Sequence, residues 1–198
     1  MFKREAEWLG GRMAAYPAEE IAPVINIGGS SRHFRTITQP WIEGALFGPL
    51  AARGVAVHHL DVEPGEGVDL VCDLLTEEGF AMAKALNPGA VLLCNVLEHV
   101  EQPAPLAQAC LRLRRPGGRL IVTVPHSYPM HRAPIDTMFR PTPQKIAALL
   151  PGVPMEHGSI ERMGNHWDEV FRAPKKLSIK KAPWLLKPYL TSIAVFRA

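Results

Sequence analysis

The stretch "VLLCNVLEHVEQPAPLAQACLRLRRPGGRLIVTVP", residues 91–125, sets the fold. Its first residues continue from Ala90 as an uninterrupted apolar run, the mark of a strand buried on both faces. The segment "QPAPLAQACLRLRR" then places Leu106, Ala109, Cys110 and Leu113 at helical spacing. "PGG" ends that helix, glycine being free to adopt the left-handed conformation a helix C-terminus favours. "RLIVTVP" is a second apolar strand. Strand, helix and strand in this order make a parallel unit with a crossover helix.

The same alternation extends outward. Residues 3–20 read as an N-terminal helix, and residues 24–27 as a short buried strand. Residues 41–52 are helix-like but interrupted by Gly44, Gly48 and Pro49. Residues 55–60 form a second strand ending at Asp61, and "VDLVCDL" a short third with Asp73 just beyond it. Residues 77–86 are helical, and "TPQKIAALL" is a helix with Thr142 as its cap and Pro143 at its first position. "MEHGSIER" and "SIAVFRA" are two further strands. The expected fold is α/β, a doubly wound sheet, over one domain: an N-terminal helix, a core at 22–150 and C-terminal strands at 151–198.

In such a sheet ligands bind beyond the carboxyl ends of the strands. Those ends carry Gly28–Gly29–Ser30, Asp61, Asp73 and Asn95. A dinucleotide fingerprint needs glycine at 28, 30 and 33, where the chain has Gly28, Ser30 and His33. That argues against NAD, and no GK[ST] follows to make a phosphate loop. A nucleoside without phosphate fits better. Asp61 is placed to accept from ribose hydroxyls and Asp73 from an adenine amino group.

The 91–125 stretch resembles the class I S-adenosylmethionine-dependent methyltransferases, most of all the small type 11-like branch with an LEHV-to-PGG signature. The resemblance spans roughly residues 22–150. It implies a Rossmann-like mixed sheet of seven strands, the last antiparallel, with S-adenosyl-L-methionine as cofactor and methyl transfer as the activity. Carried over position by position, it places Gly28 beneath the methionine part of the cofactor, with Gly29 and Ser30 also expected to bind the cofactor. Asp61 falls at the ribose, Asp73 and Leu74 at the adenine, and Asn95 and Val96 beside the methionine moiety, with Val62 also expected to bind the cofactor. The sequence departs from the family where Asn26 replaces the usual acid and Ser30 and Arg32 replace glycines. A non-catalytic adaptor that keeps the fold is the alternative, with an NAD-linked oxidoreductase behind it.

The acceptor should lie near "PHSYPMHRAPIDTMFR" after the fifth strand. Here His126, His131 and Asp136 are candidates for acceptor binding and base catalysis, or for a structural network. As metal ligands they match no standard spacing, so no metal site is expected, and His99 reads as structural.

Charge is uneven along the chain. After Glu169 there are seven Lys or Arg and no acid, leaving 15 of the 22 basic residues against all 19 acidic ones. Residues 172–190 combine six basic side chains with Trp184, Leu185, Leu186, Tyr189 and Leu190. That suits an anionic small-molecule or lipid- or glycan-linked acceptor, or peripheral contact with a membrane, as well as a solvated loop. The acidic body disfavours nucleic acid. Cys72, Cys94 and Cys110 show no CxxC spacing and read as buried thiols. "MFKREAEWLGG" has charges where a leader would be apolar, so a cytoplasmic location is expected.

Overall fold

The computed structural model describes residues 1–131, 135–167 and 187–197. Seven strands form one sheet: β1 (Val24–Ile27), β2 (Val57–Asp61), β3 (Leu70–Val71), β4 (Ala90–Cys94), β5 (Arg119–Ser127), β6 (Met155–Asn165) and β7 (Pro188–Arg197). Their order is β3-β2-β1-β4-β5-β7-β6. Neighbours from β3 to β5 pair in parallel, and β7 runs antiparallel to both β5 and β6. This is the mixed seven-stranded sheet expected from the sequence. The chain reverses its direction of growth at β1, which pairs with β2 on one side and β4 on the other. That switch point is where a parallel sheet opens a crevice.

The apolar strands are buried on both faces because alternate side chains serve two different layers. Ile25, Val91, Leu93, Leu120 and Val122 face α4 (Glu77–Lys84) and α5 (Pro103–Leu113), meeting Ala83, Ala109, Cys110 and Leu113. Val24, Leu92, Ile121 and Val195 face α1 (Lys3–Ala14) and α3 (Gly48–Ala52), meeting Leu9, Met13 and Leu50. All three cysteines are free and buried.

Several boundaries move for local reasons. The N-terminal helix splits into α1 and α2 (Ala18–Ile21), because Pro17 has no amide hydrogen to continue the ladder. The interrupted 41–52 region becomes a π-helical turn at Glu43–Phe47 leading into α3, with Pro49 in its first turn. Thr76 caps α4 by accepting from Gly79 N at 3.1 Å, and Thr142 caps the short α6 (Pro143–Ala147). β6 runs 11 residues, longer than its alternating motif, because β7 pairs along its length. Residues 172–186 of the basic segment lie outside the described residues. No helix among the described residues is long and apolar enough to cross a membrane.

Candidate functional site

The turn after β1 is built for close backbone approach. Gly28 sits at φ +67°, and a Cβ there would lie 2.6 Å from Cγ2 of Val96. Ser30 holds a left-handed φ of +52° that serine rarely adopts. Two side chains hold it there. Asp61 Oδ2 accepts from Ser30 N at 2.9 Å. The buried Arg35, on a π-helical turn at Phe34–Thr38, donates to the carbonyls of Gly29 and Ser30 at 2.5 Å and of Gly67 at 2.7 Å. Burial lowers the Arg35 pKa from its ordinary value, while Asp69 and Glu43 oppose the shift.

Beyond the carboxyl ends of β1, β2 and β4 lies a cavity of about 1110 Å³. Gly28, Gly29, Ser30, Asp61, Val62, Asp73, Leu74, Asn95 and Val96 all line it, so the nine cofactor positions read from the sequence converge on one space. Their polar groups are partly engaged already. Asp61 Oδ1 accepts from Glu63 N at 3.3 Å, and Asp73 Oδ1 accepts from Leu75 N at 2.8 Å. A carboxylate has about four acceptor sites, so both retain capacity for a ligand hydroxyl or amine. Val62 and Leu75 stand 61% and 53% exposed beside buried Leu74, giving this end apolar walls under an acidic rim. Asn26, in β1, donates its amide to His59 Nδ1 at 3.1 Å. Burial, with Arg35 adding to it, pushes His59 down to about 4.

Asn95 also has a left-handed backbone, φ +53°. Its side chain turns to α1, where Nδ2 donates to Glu5 Oε1 at 2.7 Å. The same oxygen accepts from Thr123 Oγ1 at 2.5 Å, and Glu5 Oε2 accepts from Phe2 N at 3.1 Å. Glu5 is fully buried and ties α1 to the ends of β4 and β5. As a result Met1 and Phe2 form part of the cavity wall. Phe2, Tyr128 and Tyr189 pack their rings together there, with centroids 4.8 to 5.7 Å apart.

The loop after β5 divides. His131 lines the cavity, whereas His126 and Asp136 do not. β5 continues through Ser127, so Pro125 faces the cavity and His126 turns away, donating Nδ1–H to the Pro141 carbonyl at 3.0 Å. Asp136 is clasped by Arg140 at 2.6 and 3.0 Å and accepts from the amides of His131 and Met138. Burial raises the Asp136 carboxyl, but these bonds outweigh it and hold it well below the usual carboxylate range. Asp136 Oδ2 also lies 3.0 Å from Nδ1 of His131. The three residues therefore do not converge as one catalytic cluster. His131 meets the cavity, Asp136 stands behind it, and His126 braces the loop.

Among the cavity residues that the sequence does not mark as site residues are Glu98 and His99, which reads as structural from the sequence. Both sit in the 3-10 turn Leu97–His99 after β4. His99 hydrogen-bonds through Nδ1 to the Ile135 carbonyl, and its ring meets that of His131 edge-on at 5.0 Å. Glu98 is 1% exposed, and burial pushes its carboxyl up to about 7. Burial also lowers His131, with His99 and Arg140 adding to the shift and Asp136 opposing it.

No protein-family model matches the chain, and no curated protein matches its sequence. Solved structures match its fold over nearly its full length. A SAM-dependent methyltransferase from Archaeoglobus fulgidus superposes with a TM-score of 0.58 at 14% identity, over 99% of this chain and 94% of that one. An S-adenosylmethionine-dependent methyltransferase from Mesorhizobium loti gives 0.53 at 16%, over 98% of each chain. The 1,6-didemethyltoxoflavin-N1-methyltransferase of Burkholderia thailandensis, solved with bound 1,6-didemethyltoxoflavin and S-adenosylhomocysteine, gives 0.52 at 16%, over 99% and 78%. At these identities the likeness is one of architecture: the chain has the Rossmann-like fold of the class I S-adenosylmethionine-dependent methyltransferases.

Proposed function

We propose that the chain transfers a methyl group from S-adenosyl-L-methionine to a small-molecule or glycan-type acceptor. The observation that carries this reading is the convergence of the nine strand-end residues on one cavity. Its volume of about 1110 Å³ exceeds the ~300–1,000 Å³ usual for one small ligand, leaving room for cofactor and acceptor together.

The residues present fit the cofactor. Gly28, at φ +67°, lets the turn close against Val96, whose Cγ2 would lie 2.6 Å from a Cβ there, and the methionine part would lie beside this turn. Asp61 offers acceptors to the ribose, and Asp73, Val62 and Leu74 offer an acceptor and apolar walls to the adenine. When bound, S-adenosylmethionine supplies a sulfonium methyl group to a nucleophile aligned behind it. The chain's part is alignment and desolvation, which account for much of the acceleration of a displacement reaction. Phe2, Tyr128 and Tyr189 offer flat apolar surface for positioning an acceptor. A hydroxyl acceptor must also lose a proton, and Glu98, His99 and His131 bring titratable groups to that part of the wall.

A thermal-shift comparison of S-adenosylmethionine, S-adenosylhomocysteine and NAD tests the reading. A specific ligand at a hundred times its Kd stabilises by about 2.7 kcal/mol. Shifts with the first two and none with NAD support it. A shift with NAD alone favours the oxidoreductase, and no shift with any of the three removes the cofactor assignment.

A further inference from the structure

We propose that Glu98, His99 and His131 bind a divalent transition-metal cation at the acceptor end of the cavity. One carboxylate oxygen of Glu98 and one ring nitrogen from each histidine lie within 4.8 Å of one another. Nitrogen and oxygen ligands ~2.0–2.2 Å from a tetrahedral ion stand roughly 3.3 Å apart, so small side-chain rotations close the set. Two imidazoles and one carboxylate suit first-row divalent ions and leave coordination positions open.

Three independent features point to a ligand rather than a packed polar cluster. Glu98 Oε2 is buried and has no hydrogen-bond partner among the described residues, although the side chain is only 1% exposed. An orphan acceptor of that kind costs stability unless something positive fills the gap. His99 donates Nδ1–H to the Ile135 carbonyl, which leaves the lone pair on Nε2 for a cation, and that atom lies 3.8 Å from Glu98 Oε1. Behind His131 stands the Asp136 carboxylate, 3.0 Å from Nδ1 and itself fixed by Arg140. A carbonyl or carboxylate behind each imidazole is the outer shell that orients metal-binding histidines. The ligands reach the site from different elements, the turn after β4 and the loop after β5, so folding assembles it.

All three ligands line the cavity, so the open positions of the cation face its interior. There it would hold an oxygen acceptor and lower the pKa of its hydroxyl, a role that rests on the methyl-transfer reading, whereas cation binding does not.

The test uses the full chain, stripped with a chelator and titrated with Co²⁺ while its visible absorption is followed. The expected result is one equivalent bound with micromolar or tighter affinity and a band that Zn²⁺ displaces. Glu98→Gln and His131→Ala should each weaken binding at least tenfold, consistent with the effect of losing one of three ligands. His33→Ala, at an exposed position, should leave it unchanged. Circular dichroism and S-adenosylhomocysteine titration of each variant separate lost ligation from lost folding. No band at millimolar Co²⁺ overturns the site, as does equal affinity in folded Glu98→Gln and His131→Ala. Cation binding without S-adenosylhomocysteine binding would instead remove the methyl-transfer reading and leave the site standing.

Discussion

Replacing Glu5 with alanine should loosen the joint between α1 and the sheet. The buried carboxylate accepts from Asn95 Nδ2, Thr123 Oγ1 and Phe2 N. Phe2 N, near the chain start, can turn to water. The Asn95 amide and Thr123 hydroxyl lose a charged partner, each such bond being worth about 1.5–3 kcal/mol. Removing a buried carboxylate also relieves its own desolvation cost, which offsets part of the loss. The net expectation is about 2–4 kcal/mol for Glu5→Ala, and about 1–2 kcal/mol for Glu5→Gln, which keeps the shape and one acceptor oxygen. At this chain length each kcal/mol shifts Tm by about 2–4 °C. Urea denaturation of Glu5→Ala, Thr123→Val and the double variant gives the coupling directly. Because Met1 and Phe2 line the cavity, ligand affinity should fall together with stability. A Glu5→Ala variant within about 0.5 kcal/mol of the parent, or additive single substitutions, would refute the reasoning.

Asp61→Ala should weaken S-adenosylhomocysteine binding by about 1.5–3 kcal/mol, whereas Asp136→Ala should mainly lower stability by unclasping Arg140; calorimetry and thermal melts on both variants check the split. His59 carries a pH dependence. Its folded pKa of about 4 lies below its ordinary value near 6.5, so its contribution is complete above about pH 6.5 and is lost as pH falls towards 4. The loss is on the order of 3 kcal/mol, and His59→Gln should flatten that part of the stability–pH curve.

The sheet was legible because its signals are local. Continuous apolar runs at β1, β4 and β5 mark strands buried on both faces, and "PGG" marks where α5 must stop. The cavity wall followed from one rule, that parallel strands present their carboxyl ends together, and Gly28, Asp61, Asp73 and Asn95 do share one cavity. What escaped depends on contacts remote in sequence. Glu5 lies among exposed charged residues of α1 and looks like one of them until Asn95, 90 positions on, donates to it. Arg35 gives no sign that it braces the glycine turn and Gly67, which lies 32 residues away. In the loop after β5, His126, His131 and Asp136 are near neighbours in sequence, which leaves both a shared catalytic role and a structural network open. Strand alternation at the end of β5 turns His126 away, while the 3-10 turn after β4 brings Glu98 and His99 to His131 instead.

Calorimetric titration of the full chain with S-adenosylhomocysteine tests the central claim most directly. The expected result is one-to-one binding in the micromolar range, competed by S-adenosylmethionine and weakened by Asp61→Ala. No heat and no competition at millimolar ligand would contradict it.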